Sequence, residues 1–228
     1  MILTSITSTE FQSFADTISN RSFIQSEQMG VLLGTRGADV TYLALKEDAE
    51  ILVAALVYTL PMTGGLHMEI NCGPIYSDSS YLEAFYNCLK EYAKSRGVLQ
   101  LIVKPYDTYQ TFDSSGQPSS EEQKEIISTL TNLEFQHDGL MTGYPGGEPD
   151  WLYLKNLAGI TEKTLLTTFS KKGKSLVKKA NTFGIKLKKL QREELAIFKK
   201  ITTKTSERRN YSDKSLEYYQ HFYDSFKD

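Results

Sequence analysis

The chain of 228 residues is 40% hydrophobic and 11% aromatic, which is ample for a packed core and excludes a disordered protein. No stretch approaches the roughly 18 consecutive apolar residues of a membrane-spanning helix, and the opening MILTSITSTEFQSF lacks the basic and apolar regions of a signal peptide. Only Cys72 and Cys88 are present, so we expect reduced core thiols and no disulfide framework or common zinc motif. These features predict a cytoplasmic globular protein.

The small formal net charge of −2 hides an uneven distribution along the chain. Residues 1–160 contain 9 Lys and Arg against 20 Asp and Glu, whereas residues 161–228 contain 17 against 8. Such asymmetry is typical of a basic part that binds an anionic partner, or of an acidic domain that packs beside a basic one. The charge shift also predicts a domain boundary near residue 160.

Taken in chain order, the first half of the sequence alternates helix and strand signals. TSTEFQSFADTI predicts an amphipathic helix with Thr7 or Ser8 as N-cap, and DVTYLALK and EILVAALVYTLP predict a hairpin. GTRGAD is typical of a helix C-cap that leads into a strand, and GGLHMEINCGPIY predicts a strand that ends in a Gly-Pro turn. SSYLEAFYNCLKEYAKSRG predicts a helix capped by Ser79 or Ser80 and ended by Gly97, and VLQLIVKPY predicts the next strand.

The second half begins with a polar loop at residues 107–120 and the predicted helix EEQKEIISTLTNLEF. QHDGLMTGYPGGEPDWLYLKNL then predicts two strands around a Gly/Pro-rich turn, and TEKTLLTTFSKKGKSLVKKANTFG predicts helix up to Gly184. The strand IKLKKL and the helices REELAIFKKITTKTSERR and KSLEYYQHFYDSFKD complete the pattern. Hairpins mixed with strand–helix–strand passages predict the α+β class with a mixed sheet.

The familiar catalytic signatures are absent from the sequence. His67, His137 and His221 lie near no G-x-S-x-G or cysteine-protease signature. No H-E-x-x-H, C-x-x-C, Walker loop or dinucleotide fingerprint occurs. These absences argue against metal, nucleotide and nicotinamide chemistry.

One basic stretch, FSKKGKSLVKKANTFGIKLKKL, contains eight lysines and no acidic residue. Helical spacing places Lys174, Lys178 and Lys179 on or near one face, and the predicted strand directs Lys186 and Lys188 to one side. Crowded cations repel each other unless water solvates them or phosphate neutralises them. From these residues alone, a solvated face and a phosphate-binding surface are both open.

Six segments follow one another in the order and spacing of a single family: FIQSEQMGVLL, GGLHMEINCGPIY, LEAFYNCLKEYAKSRGVLQLIVKPY, LEFQHDG, VKKANTFGIKLKKLQREELAIFKKI and TSERRNYSDKSLEYY. Over all 228 residues the chain resembles the Fem family (FemA, FemX, MurM and MurN type), the tRNA-dependent aminoacyltransferases that build peptidoglycan cross-bridges in Gram-positive cell walls. The resemblance implies a GNAT-like acyltransferase fold, with a first domain at residues 1–160 and the start of a second at 161–228.

The resemblance also implies substrates, partners and site residues. The donor would be aminoacyl-tRNA, and the acceptor the stem peptide of a lipid-linked or UDP-linked muramyl precursor. No metal, acyl-enzyme or small-molecule cofactor would be needed. The acceptor motif matches Thr205, Arg208 and Tyr211. The basic stretch would bind tRNA, with acidic lipid of the inner membrane face as a second partner, through the lysines Lys171, Lys172, Lys174, Lys178 and Lys179.

Two positions depart from the family pattern. Where many members have a lysine that holds the precursor's diphosphate, this chain has Leu33, and Arg36 is the cation nearby. Where the family has D-P-Y at a strand end, this chain has Lys104, Pro105 and Tyr106. Family members also continue beyond the length of this chain, so we expect a fragment. The segment thought to act near the reacting centre is missing, and the catalytic residues stay unassigned.

Two other functions compete with this interpretation. An acetyl-CoA-dependent GNAT acetyltransferase would share the fold, but it should carry a pyrophosphate loop of the type R/Q-x-x-G-x-G/A, which is absent. A non-enzymatic RNA- or membrane-binding fragment is the third alternative. We also expect an incomplete second domain to expose apolar surface, with the candidates Tyr218, Tyr219, Phe222 and Phe226.

Overall fold

The computed structural model describes residues 1–140 and 151–227, in which six strands form one sheet. The strands are β1 (Ile2–Ile6), β2 (Asp39–Glu47), β3 (Glu50–Met62), β4 (Gly65–Asn71), β5 (Ile75–Tyr76) and β6 (Val98–Lys104). The helices are α1 (Ser8–Ala15), α2 (Glu27–Thr35), α3 (Leu82–Ser95), α4 (Glu125–Asn132), α5 (Glu162–Leu165), α6 (Lys171–Thr182), α7 (Leu195–Arg209) and α8 (Leu216–Phe226).

The sheet is mixed, as predicted. Its order is β1-β2-β3-β4-β6, with β5 paired to β3, and every pairing is antiparallel except the parallel pair β4–β6. The predicted hairpin is confirmed, because β2 pairs with β3 from Asp39–Thr59 to Glu47–Glu50. β1 lies beside β2 at the edge and was not predicted from the sequence. The α+β class is therefore confirmed.

Alternate residues of β3 build two apolar layers, because successive side chains of a strand point to opposite faces. Val53, Ala55 and Val57 pack with α3, which buries Phe85 and Leu89 there, and α4 adds further apolar residues to this side. On the opposite face, Ala54 and Leu56 pack against Phe11 and Ala15 of α1, and α2 covers the same side. The sheet is thus sandwiched between α1 and α2 on one face and α3 and α4 on the other.

The predicted N-cap of α1 is confirmed, whereas the predicted N-caps of α3 are wrong. Thr7 caps α1 in a reciprocal capping box with Glu10, as predicted. The predicted caps of α3 are wrong: Ser79 and Ser80 lie within a 3₁₀ turn (Ser79–Tyr81), where the Asp78 carboxylate accepts the Ser80 N–H. Asp78, one residue before Ser79, therefore caps this turn in place of the two serines, because its carboxylate satisfies an N–H that would otherwise lack a partner.

Two glycines end helices where the sequence predicts an end. The segment GTRGAD is a helix C-cap followed by a strand, since Arg36 caps α2, Gly37 has φ +90° and β2 begins at Asp39. Gly97 has φ +71° after α3. Both backbone conformations lie in the left-handed region that favours glycine.

Two predicted strands are wrong. Residues 185–190 and 151–157 have no strand structure, and Leu187 and Tyr153 are almost fully exposed. A strand needs a neighbour for its backbone hydrogen bonds, and an alternating pattern alone supplies none. The other predicted strand precedes the Gly/Pro-rich turn; its residues 136–140 have no strand structure either, and residues 141–150 lie outside the described ranges.

By spatial contact the chain divides into two compact units. Residues 1–137 with 195–227 form the first, and the described residues of 138–194 form the second. The first unit thus contains the whole sheet together with α7 and α8, and the second contains α5 and α6. The division of the sequence into GNAT-like domains at residue 160 stays a prediction. Cys72 and Cys88 are half-buried thiols.

Candidate functional site

Gln25 fills the gap where β3 and β4 separate. The register of β3 with β4 stops at the Tyr58–Glu69 pair, and beyond it the buried Gln25 side chain replaces the missing strand contact. Its Oε1 accepts the Leu56 N–H at 2.8 Å, and its Nε2 donates to the Asn71 carbonyl at 2.7 Å and the Leu56 carbonyl at 3.3 Å. Gly73 leaves room for it, since a Cβ there would lie 2.7 Å from the Gln25 Cδ.

The next residue, Ser26, starts α2. Its hydroxyl accepts the Met29 N–H at 3.2 Å and donates to the Phe23 carbonyl at 2.6 Å. A serine in this position satisfies an N–H that the first turn of a helix leaves without an intrahelical partner. The pair Gln25-Ser26 therefore fixes the beginning of α2 to the sheet, and α2 carries the chain to Arg36.

Helix α8 packs antiparallel to α2. The Phe23 and Phe226 rings lie 5.9 Å apart at one end, and the Arg36 guanidinium lies 3.9 Å from the centre of the Tyr218 ring at the other. Of the four aromatic residues predicted to be exposed on α8, only Phe222 is exposed. The prediction is therefore wrong for Tyr218, Tyr219 and Phe226, because α2 and α7 cover part of that surface.

One carboxylate holds the turn between α7 and α8. Asp213 accepts hydrogen bonds from Thr202 Oγ1 at 2.9 Å, Thr203 Oγ1 at 3.1 Å and the Tyr219 hydroxyl at 2.9 Å, and it pairs with Lys199. The hydrogen bond from Lys199 holds the pKa of Asp213 far below its ordinary value, although burial opposes this, and the hydroxyl donors add to the lowering. Asp213 thus holds the turn between α7 and α8, which includes Tyr211, against α7.

The predicted acceptor residues occupy the end of α7 and this turn. Arg208 is exposed in the last turn of α7, and Tyr211 is 52% exposed. Thr205 donates its hydroxyl to the Ile201 carbonyl at 2.9 Å, so that hydroxyl proton is engaged within the helix. The Tyr211 N–H bonds the Ser206 carbonyl at 3.2 Å, which folds the chain back at the helix end.

Arg36 contacts Tyr218 in the first turn of α8, the helix that follows the predicted acceptor residues in the sequence. The Tyr218 ring also lies 5.3 Å from the Lys214 Nζ, so two cations share one aromatic ring. Lys214 directly precedes Ser215, which caps α8 by accepting the Tyr218 N–H at 3.0 Å. Cations beside a helix N-terminus form a site that attracts anions, because the helix dipole places partial positive charge there.

Comparison with known proteins assigns the family. The FemAB family model matches residues 6–228. The chain belongs to the FemAB family. The aminoacyltransferases FemB and FemA of Staphylococcus epidermidis are 25% and 28% identical to it over the whole chain, which corresponds to 56% of each relative. A crystal structure of FemX matches the whole of this chain with a TM-score of 0.76 and 20% identity, and the match covers 55% of the FemX chain. The predicted GNAT-like fold and family resemblance are confirmed, and this FemAB chain spans about half the length of its curated relatives.

The presence of Leu33, where many members of the family have a lysine, has a structural basis in this FemAB chain. Leu33 packs into the apolar layer formed by Phe11 and Leu56, so its position faces the core. Arg36 is the exposed cation at this end of α2. Two further residues beside it, Lys214 and Tyr218, were not predicted as part of the site. The local sequence gives no signal for them, because their role depends on contact with a residue near the other end of the chain.

The five lysines predicted to bind tRNA all lie on α6, which Ser170 caps by accepting the Gly173 N–H. Four are exposed and Lys174 is half-buried. Within the part of the chain that the structure describes, none of the five forms an ion pair with a carboxylate. Further along the second unit, Lys188 pairs with Glu194. Helix α6 therefore carries a group of cations that form no ion pair with a carboxylate of residues 1–140 or 151–227.

Membrane-spanning helices and metal-binding clusters are both absent from residues 1–140 and 151–227. No helix of these ranges is both long and apolar enough to cross a membrane. Their His, Cys, Asp and Glu side chains form no group of three or more that could hold a metal ion.

Proposed function

We propose that this FemAB chain forms part of an aminoacyltransferase that transfers an amino acid from aminoacyl-tRNA to the stem peptide of a peptidoglycan precursor. The observation that carries the proposal is the contact of Arg36 with Tyr218. It joins a cation at the end of α2 to the first turn of α8, and Arg208 and Tyr211 lie a few residues earlier in the sequence; the chain's family relatives are named aminoacyltransferases.

The acceptor's diphosphate binds beside the N-terminus of α8. Arg36 and Arg208 present guanidinium groups, whose planar fork donates two parallel hydrogen bonds to phosphate oxygens. Lys214 adds a third positive charge, and the first turn of α8 contributes free N–H groups. Tyr211, whose ring is exposed, is the aromatic residue that we assign to the sugar or base of a UDP-linked precursor.

The chemistry needs no covalent intermediate on the protein. An amine of the stem peptide attacks the ester carbonyl of aminoacyl-tRNA, and a tetrahedral oxyanion forms. The new C–N bond remains, the C–O bond to the tRNA ribose breaks, and the proton that the amine loses passes to the leaving ribose oxygen, which becomes a hydroxyl. Since the ester is already activated, the protein accelerates the step mainly by holding both substrates in place and by stabilising the oxyanion.

The donor tRNA binds through α6. Its lysines carry positive charge that no described carboxylate neutralises, and lysine contacts phosphate as a flexible point charge without reading bases. The same surface, turned toward anionic lipid, would hold the protein at the inner membrane face where a lipid-linked acceptor lies. We accordingly place the protein in the cytoplasm with peripheral membrane contact.

Arg208→Ala tests the acceptor site directly. In calorimetric titration with a UDP-linked muramyl peptide, we expect a loss of about 1.5–3 kcal/mol of binding free energy, the usual value of a hydrogen bond to a charged group. This corresponds to roughly 10- to 150-fold weaker binding. Arg209→Ala is the matched control, because Arg209 is also exposed at the end of α7. Equal affinities of the parent protein and Arg208→Ala would exclude Arg208 from the site.

A further inference from the structure

The half-buried ring of Tyr218 contacts two cations that come from distant parts of the chain. The Arg36 guanidinium carbon lies over this ring, 3.9 Å from its centre, and the Lys214 Nζ lies 5.3 Å from the same centre. The face of an aromatic ring carries partial negative charge and attracts cations, but two cations that share one ring still repel each other.

No carboxylate neutralises these two cations in the part of the chain that the structure describes. Arg36 and Lys214 form no ion pair with any Asp or Glu of residues 1–140 or 151–227. The Lys104 ammonium differs, because it pairs with Glu69 at 2.9 Å. An aromatic ring holds a cation in place without cancelling its charge, so Arg36 keeps its full charge for an anionic ligand.

The way in which Arg36 meets the ring also leaves its donors free. A guanidinium is planar, and its N–H groups lie in that plane. A distance of 3.9 Å is the van der Waals separation of two flat groups, so Arg36 lies with its face against the ring. The N–H groups at its edge can therefore donate two parallel hydrogen bonds to phosphate oxygens.

Both ends of the Arg36 side chain are held. Its backbone N–H bonds the carbonyls of Leu32 at 3.2 Å and Leu33 at 3.0 Å at the end of α2, and Tyr218 holds the guanidinium. A mobile arginine loses rotamer freedom when it binds a ligand, and this lost entropy weakens binding. An arginine that a ring already orients loses less.

A second aromatic contact between these segments involves no cation. The rings of Phe23, just before α2, and Phe226, at the end of α8, pack edge to face with their centres 5.9 Å apart. This contact supports the packing of α8 without touching Arg36. It therefore provides a comparison that separates a packing role of Tyr218 from a role in orienting the cation.

We propose that Tyr218 is a positioning residue, whose ring holds the Arg36 guanidinium in the orientation that binds the diphosphate of the acceptor. In this role Tyr218 acts through Arg36 and makes no hydrogen bond to the phosphates. The inference rests on the proposed function, which places the diphosphate at Arg36.

Calorimetric titration with a UDP-linked muramyl peptide tests this role. Tyr218→Leu keeps an apolar side chain but removes the ring, and we expect roughly 3- to 10-fold weaker binding, as loss of a cation–π contact predicts. Tyr218→Phe keeps the ring and should bind within about twofold of the parent protein. Phe226→Leu is the matched control, and it should bind the ligand as the parent does.

A double-mutant cycle shows whether Tyr218 acts through Arg36. Arg36→Met removes the charge and should weaken binding by about tenfold or more, the usual effect of losing a charged hydrogen bond. Because the ring then has no guanidinium to orient, adding Tyr218→Leu should change the affinity by less than about twofold.

Three results would overturn the inference while the proposed function stands, provided that Arg36→Met weakens binding. These are equal affinities of the parent and Tyr218→Leu, an equal loss in Tyr218→Leu and Phe226→Leu, or a loss in Tyr218→Phe as large as that in Tyr218→Leu. A full further loss when Tyr218→Leu is added to Arg36→Met would do the same. Unchanged binding by Arg36→Met, or no binding by the parent, would contradict the proposed function as well.

Discussion

Gln25 shows how one side chain can join two elements that the sequence presents separately. The letters QS belong to a recognisable family segment, yet nothing in them reveals that Gln25 bridges Leu56 and Asn71. By contrast, the Thr7 capping box is predictable because both partners lie within one helical turn. Arg208 was predictable as a family position, but the contact of Arg36 with Tyr218 depends on tertiary packing.

Replacing Gln25 with leucine should destabilise the protein by about 3 kcal/mol, because buried groups of Leu56 and Asn71 lose their partners, each at about 1–3 kcal/mol. Urea unfolding measures this free energy. Gln117→Leu, at an exposed loop position, should leave it nearly unchanged. If both variants unfold at the same urea concentration as the parent protein, Gln25 does not have the bridging role described here.

For helices and strands, long apolar patterns bounded by clear turns were sufficient to predict the element, whereas short alternating patterns were not. The β2–β3 hairpin and α3 carry long apolar patterns bounded by clear turns, and both exist as predicted. IKLKKL satisfies the alternation of a strand over residues 185–190, but those residues are almost all exposed and have no strand partner in the described chain. Alternation identifies a possible strand face, whereas pairing depends on other segments.

Asp213 gives the packing of α7 with α8 a defined pH dependence. Its pKa is lowered in the folded protein, so its contribution to stability is present above the ordinary aspartate pKa of about 4 and is lost as the pH falls below it. We expect the difference in unfolding free energy between the parent protein and Asp213→Asn to be largest near pH 7 and to shrink toward pH 3. Urea unfolding at several pH values measures it. A difference that stays constant with pH would contradict the assignment of an ionised Asp213.

The salt dependence of tRNA binding distinguishes the two interpretations of helix α6, a tRNA contact and a solvated surface. If about four of its lysines each neutralise a phosphate, the logarithm of tRNA affinity should fall with the logarithm of salt concentration at a slope of roughly −3. Replacing Lys174, Lys178 and Lys179 with Gln should flatten that slope by about 2. The control variant Lys94→Gln with Lys124→Gln removes two exposed lysines outside the second unit. An unaltered slope in the triple variant would favour the solvated surface.

For the whole molecule, the order of motifs predicted more than composition did. Charge asymmetry indicated an anionic partner without naming one, whereas the ordered segments predicted both the family and the fold. The placement of α7 and α8 in the same compact unit as the sheet could not be predicted from the charge shift near residue 160. It follows from packing of α8 on α2, whose apolar contacts come from distant parts of the chain.

A transfer assay tests the central claim most directly. The protein is incubated with tRNA charged with a labelled amino acid and with a UDP-linked muramyl peptide, and the products are separated and weighed by mass spectrometry. We predict that the label moves to the peptide, that the peptide gains the mass of one aminoacyl residue, and that uncharged tRNA with free labelled amino acid gives no product. Absence of transfer from charged tRNA, together with acetylation of an amine from acetyl-CoA, would contradict the account.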